Sequence, residues 1–226
     1  MTFVFDYKSS GSIMVEAIWH TQHVGGGSFM STAGTNMEMV VTKQEDKTTI
    51  TVRGPETQAR PADIPVDADF FGIIFKVGTF VQPLPTSQII NGGVNLPDAS
   101  SKSFWLNGSA WEFPTFENAD VFVDRLIRED LLVREPIVEA VLQGELKDDL
   151  SLRSIQRRFL QSTGLTQKAV QQIDRAKKAL VLLQQGKSIL DTTYELGFFD
   201  QSHLTNSLKH FIGQTPAQIL KQDDSE

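Results

Sequence analysis

The chain has no cysteine among its 226 residues. Disulfides, thiolate–zinc sites, iron–sulfur clusters and cysteine nucleophiles are therefore excluded. It also lacks any run of about 18 apolar residues, the length a helix needs to cross a bilayer. Its start, MTFVFDYKSS, has no basic segment ahead of an apolar core, so no signal peptide is expected. Histidine is scarce, with only four residues, and no Ser–His–Asp arrangement can be argued from them. His20 and His23 are the only histidines of the first half. A barrel-type metal site needs more imidazole or placed carboxylate ligands than they supply. No catalytic residue, metal or cofactor is expected. The chain reads as a cytoplasmic protein that is not an enzyme and has no membrane partner.

What is present is ordinary in amount and uneven in place. Apolar residues make up 40% and charged residues 22%, a globular balance. The length suits one large domain or two small ones, and it can bury a core without staples. The net charge of −7 hides an asymmetry. Residues 1–150 carry 11 basic and 21 acidic side chains, a net of −10. Residues 151–221 carry 10 basic and 4 acidic, a net of +6, and the tail 222–226 adds three acids. Such asymmetry points to two units with different partners. The basic stretch has about the size of a small DNA-binding module, although a helical domain can also be basic by chance.

The first half reads as strands. Met37–Thr42 and Thr48–Arg53 are β-rich runs joined by the polar loop Lys43–Lys47, which predicts a hairpin. Thr2–Tyr7, Ile13–Trp19 and Phe70–Phe75 are further strands, punctuated by glycine and proline. Several short strands with turns favour a barrel or sandwich. The stretch Gln82–Thr115 is rich in Pro, Gly, Asn and Ser. A structureless loop of that length is unexpected in a compact domain, so it predicts short strands that the pattern does not locate.

Near Phe116 the period changes from two to 3.6. Ala119, Phe122, Val123, Leu126 and Ile127 predict an amphipathic helix over about Glu117–Leu132. Further helices are predicted over Pro136–Gln143, Ser151–Gln161, Gln167–Gln185, Ile189–Leu196 and Gln201–Phe211, with a last short one from Thr215-Pro216. Ser188 and Asp191 have capping-box spacing, Asp200 suits an N-cap, and Gly144 and Gly197 suit helix ends.

Ile189–Phe211 is thus a short helix, a turn through Gly197 and Phe198, and a second helix, the outline of a helix-turn-helix. Leu204, Leu208 and Phe211 form its buried face. Gln201, Ser202, Thr205 and Asn206 lie opposite, with side chains able to bond base edges or phosphates. In the earlier helix, Leu152, Ile155 and Phe159 repeat as a buried face. Arg153 and Arg157 project together, with Gln156 and Arg158 nearby. An arginine fork donates two parallel hydrogen bonds, which suits guanine edges and phosphates. Lys209, near the end of its helix, is placed for phosphate contact. The helix between the units spans roughly 28 Å, close to the roughly 34 Å between successive major grooves on one DNA face. A plain helical bundle with solvated arginines fits the same periodicity.

The motif Ser151-x-Arg153-x-Ile155-x-Arg157-x-Phe159, then Gly164, then Gly197-Phe198-x-Asp200-Gln201-Ser202-His203-Leu204, then Phe211-x-Gly213-x-Thr215-Pro216 resembles the DNA-binding domain of AraC-type transcription regulators. The resemblance covers about Leu150–Leu220. It implies two helix-turn-helix units bridged by a long helix. Its reading residues fall on Arg153, Gln156 and Arg157 in the first unit and on Gln201, Ser202, Thr205 and Asn206 in the second. It further implies an N-terminal sensing or dimerisation domain, and Val15–Trp19 is similar to the strands of such β-barrels. Departures from the pattern are visible. The acidic run Glu145–Asp149 separates Gly144 from Leu150, so the first scaffold helix is Pro136–Gln143 on a longer loop, or is degraded. Thr192 and Thr193 stand where an apolar–small pair is usual, and a hydroxyl there needs a partner such as an i−4 carbonyl. Asn206 replaces a position that is often basic.

Other signals are weaker. Gly186-Lys187-Ser188 ends like a phosphate-binding loop, but position 181 is valine and a helix precedes it. Trp19, Phe71, Phe75, Trp105 and Trp111 are candidates to line an effector pocket, or are barrel core. The expected architecture is α+β. A β-barrel-like, cupin-like sensing domain over 1–115 is followed by a helical linker over 116–149. A double helix-turn-helix domain over 150–221 and an acidic tail over 222–226 complete it. The expected function is sequence-specific regulation of transcription on double-stranded DNA, with room for a small-molecule effector and a homodimer. The competing readings are an enzyme with a helical appendage, for which no catalytic cluster is found, and an interaction protein that has lost DNA binding.

Overall fold

The structure, a computed structural model, describes residues 4–23, 26–145 and 150–223. Most of the acidic run, residues 146–149, and the end of the acidic tail, 224–226, lie outside the described residues. The β-branched and alternating runs of the first half form β1 (Val4–Lys8), β2 (Val15–His23), β3 (Gly27–Ser31), β4 (Glu38–Gln44), β5 (Lys47–Arg53), β6 (Arg60–Ile64), β7 (Ala68–Phe75) and β8 (Thr79–Val81). The Pro- and Gly-rich stretch that follows holds a 3-10 turn at Thr86–Gln88 and four short strands. These are β9 (Gly93–Asn95), β10 (Asp98–Ser100), β11 (Ser103–Leu106) and β12 (Ser109–Glu112). Then come α1 (Ala119–Arg128), β13 (Leu132–Arg134) and the helices α2 (Pro136–Gln143), α3 (Leu152–Thr163), α4 (Gln167–Gln184), α5 (Ile189–Glu195), α6 (Gln201–Phe211) and α7 (Pro216–Asp223).

The main sheet is antiparallel with order β1-β2-β7-β4-β5-β9. The expected hairpin is β4–β5. Its turn is tighter than the predicted loop, because Gln44 pairs with Lys47 and only Glu45 and Asp46 remain between them. Glu45 takes a positive φ of 53° to close it. The protein is α+β, with sheet before helix, as expected. Among the described residues the main sheet does not close on itself, so it is an open sheet, and β10-β11-β12, β13-β8 and β3-β6 form three smaller ones.

One helix is shorter than its apolar period. The predicted run to Leu132 stops at Arg128. Asp130 turns the chain with φ 53°, and Leu132 leaves the helix to pair with Val81 as β13 meets β8. Leu131 and Leu132 are both buried. The strand partner is about 50 residues away, as the Leu132–Val81 register shows, so no local pattern announces it.

The chain divides into two compact units. The first is made of the described residues within 1–27, 35–55 and 63–167, and the second of those within 28–34, 56–62 and 168–226. The first unit's core gathers Ile18, Met39, Ile50, Ile73 and Phe75 of the sheet with Phe104, Trp111 and the α1 residues Phe122 and Leu126. The second unit's core gathers Ala176, Ala179 and Leu183 of α4 with Phe198, Leu204, Leu208, Ile212 and Ile219. Among the described residues no helix is long and apolar enough to cross a membrane.

Candidate nucleic-acid interface

In the first unit, α3 starts where Ser151 accepts a hydrogen bond from the Ser154 N–H at 3.3 Å. It ends at Gly164, which is left-handed with φ 72°, a conformation that costs glycine little. Ile155, Phe159, Ser162 and Thr163 face inward. Their backing comes from α2, β8 and the 3-10 turn, where the Thr86 hydroxyl donates to the Gln161 carbonyl at 2.7 Å. Arg153, Gln156 and Arg157 are all exposed. They sit at i, i+3 and i+4, so they share one face.

Arg158 is placed differently. Its guanidinium donates to both carboxylate oxygens of Glu135, from Nε at 3.0 Å and from the terminal nitrogen at 2.7 Å. Glu135 also accepts from the Ile137 N–H at 3.1 Å, capping α2. The Glu135 hydrogen bond, and then its charge, hold the Arg158 pKa above the ordinary value. Arg158 therefore fastens α3 to the start of α2, with two of its five donors engaged by Glu135.

In the second unit, α5 is capped by Ser188, whose hydroxyl oxygen accepts from the Asp191 N–H at 3.1 Å and whose O–H donates to the Asp191 carboxylate at 2.6 Å. Gly197 and Phe198 make the turn. Asp200 caps α6 by accepting from the His203 N–H at 2.7 Å. Leu204 and Leu208 are buried, while Gln201, Ser202, Asn206 and Lys209 are exposed and Thr205 half-exposed. The far end of α6 is held by two segments from the first half of the chain. The Ala33 N–H donates to the Phe211 carbonyl at 2.7 Å and the Ala59 N–H to the His210 carbonyl at 2.8 Å. Those carbonyls belong to the set that a helix leaves unpaired at its end. The sequence carries no local sign of this long-range cap.

The two threonines of α5 differ. The Thr193 hydroxyl donates to the Ile189 carbonyl at 2.7 Å, the i−4 partner expected of it. Thr192 is fully buried, and among the described residues its hydroxyl has no hydrogen-bond partner. An unsatisfied buried hydroxyl costs about 1–3 kcal/mol. Thr192→Val replaces it with a methyl group of similar size, and is expected to raise stability by about 1 kcal/mol. Thr193→Val is expected to lower it. Thermal unfolding of both variants checks the pair, and a loss of stability in Thr192→Val contradicts the assignment.

The five aromatic candidates for a pocket are dispersed. Phe75 and Trp111 are buried in the first unit's core. Trp19 lies over Gly72, where a Cβ would sit 2.2 Å from the indole, on the sheet face opposite its neighbour His20. Trp105 is half exposed. Phe71 borders a cleft of about 210 Å³ together with His20, Lys43, Asp69, Phe70 and Phe116. The Phe116 ring is 5.8 Å from His20, and Lys8 Nζ lies 4.9 Å from its centre.

Short capped helices, of which α3 and α6 each pair a buried stripe with an exposed polar face, are the elements of a helix-turn-helix domain. Residues 149–222 match the family described as a helix-turn-helix domain, and this C-terminal part is a helix-turn-helix domain of the AraC type. Over 71 residues, 31% of this chain, it is 39% identical to the uncharacterized HTH-type transcriptional regulator YidL of Escherichia coli strain K12. The match spans 24% of that relative's length. Among solved structures, ToxT from Vibrio cholerae O395 superposes with a TM-score of 0.42 at 8% identity, covering 92% of this chain and 98% of that one. ToxT bound to (E)-4-(8-methylnaphthalen-1-yl)but-3-enoic acid gives 0.40 at 9% identity, covering 96% and 98%.

Proposed function

We propose that this chain is a sequence-specific DNA-binding transcription regulator. The observation that carries the reading is the exposed Arg153–Gln156–Arg157 face of α3, backed by a buried stripe, within a helix-turn-helix domain. Arg153, Gln156 and Arg157 read or position DNA in the first unit. Gln201, Ser202, Thr205, Asn206 and Lys209 do so in the second. The sheet-rich half senses an effector, and the cleft beside Phe71 is its site: His20, Lys43 and Asp69 offer polar and charged groups over an aromatic floor. One observation favours the second reading, an interaction protein that has lost DNA binding, because Arg158 is spent on Glu135.

Salt separates the two readings. Residues 151–221 carry a net of +6, and each phosphate neutralised contributes a slope of about −0.9 to log affinity against log salt. Binding of the full chain to duplex DNA is expected to fall steeply between 50 and 200 mM salt, both on the order of common assay conditions. Lys209→Ala is expected to reduce the slope by about one and to weaken all sequences alike. Fluorescence anisotropy across a salt series checks both, and a flat profile supports the interaction protein.

A further inference from the structure

Two consecutive phenylalanines lead into α6, and they have opposite fates. Phe198 is buried in the second unit's core, with the Arg175 guanidinium 4.6 Å over its ring and His203 edge-on at 5.3 Å. Phe199 is 90% exposed, more than any other large apolar side chain among the described residues. Its backbone is nonetheless fixed. The Phe199 N–H donates to His203 Nδ1 at 3.3 Å, and the His203 N–H donates to Asp200 one residue further on. The ring is thus presented to solvent from a pinned turn.

Its place matters as much as its exposure. The other strongly exposed apolar side chains near it, Leu190 and Tyr194, stand on α5. Phe199 immediately precedes Asp200, the N-cap of α6, and in a helix-turn-helix that end of the second helix meets the base edges. The α6 sequence, QSHLTNSLKHF, holds no arginine. Toward its N-terminal end the exposed donors and acceptors are Gln201, Ser202, His203 and Asn206, two amides, a hydroxyl and an imidazole. The major groove also displays one apolar group, the C5-methyl of thymine, which phenylalanine side chains contact. The geometry points to Phe199 as a specificity-determining residue that packs on a thymine methyl at the edge of the sequence read by α6. The inference rests on the DNA-binding function proposed above.

Uracil tests it, since uracil pairs as thymine does and lacks only the methyl. A duplex is first selected from a random pool by the full chain, and its thymines are then replaced one at a time. At one of them the wild-type protein is expected to lose about fourfold in affinity, the worth of one buried carbon. Phe199→Ala is expected to bind the thymine duplex more weakly and to be indifferent to that replacement. Phe199→Leu keeps part of the discrimination. At 90% exposure the position is expected to tolerate both variants without loss of fold, which circular dichroism checks. A uracil penalty that is the same in wild type and Phe199→Ala overturns the assignment, as does the lack of any sensitive thymine. Undiminished DNA binding by Phe199→Ala does so too, and assigns the ring to a protein partner instead. Failure of the pool to yield any enriched sequence removes the DNA-binding function itself, and the proposal with it.

Discussion

Phe159→Ala is expected to destabilise the protein by about 3–5 kcal/mol, the cost of emptying a buried aromatic site. Phe159 is 2% exposed and lies at the centre of the inward stripe of α3. The surrounding hydrogen bonds cannot close the gap. Thr163 and Ser162 are already committed to backbone carbonyls of α3 itself, and Thr86 holds only the Gln161 carbonyl. The midpoint of urea unfolding checks the figure. A change below about 0.5 kcal/mol, the usual range for surface sites, would mean that α3 is not docked on the first unit. The functional consequence follows from the same packing. Arg153 and Arg157 are aimed by this helix, so a loosened α3 is expected to lose discrimination between DNA sequences under conditions where the protein is still folded.

Arg157→Ala is expected to cost about 1–3 kcal/mol on a specific duplex, and to relax specificity at one base position. That is a loss of roughly 5- to 150-fold in affinity. Arg157 is exposed, shares a face with Arg153 and Gln156, and has the forked donor geometry that matches guanine. Its neighbour supplies the contrast. Arg158 is bound to Glu135, so Arg158→Ala is expected to lower stability and to leave base discrimination in place. The two arginines are adjacent in sequence, and binding and unfolding measured on both variants separates reading from bracing. If Arg157→Ala folds normally and keeps wild-type affinity and discrimination, the reading face is wrongly assigned.

The ends of the helices were legible because their signals are local. Ser188 and Asp200 each cap the helix that follows them, and Gly144 adopts the left-handed conformation that ends α2. The bounds of α2 and α6 agree with the sequence period. What escaped depends on partners distant in the chain. Leu132 falls inside the predicted helical run yet pairs with Val81. The strands β9 to β12 are three or four residues long, too short for alternation to register. The carbonyls at the end of α6 are met by Ala33 and Ala59, which nothing near α6 foretells. In the site, Arg158 looks like its neighbours in sequence, and only Glu135 sets it apart. Phe199 did carry a sign, because two adjacent phenylalanines at a turn cannot both face one core.

These contacts also bear on how the protein is to be dissected. The expected domain boundary at 150 follows charge, whereas packing places α3 with the sheet-rich unit and segments 28–34 and 56–62 with the second helix-turn-helix. The full chain is therefore the appropriate object for binding studies.

The central claim is that this protein discriminates among DNA sequences. A gel shift of the full chain with DNA from upstream of its own gene, beside a scrambled duplex of equal length and composition at one stated salt concentration, tests it most directly. The account predicts binding to the upstream duplex at least about a thousandfold tighter than to the scrambled one, the lower end for specific regulators. Equal affinity for the two, or no shift with either at low salt, would contradict it.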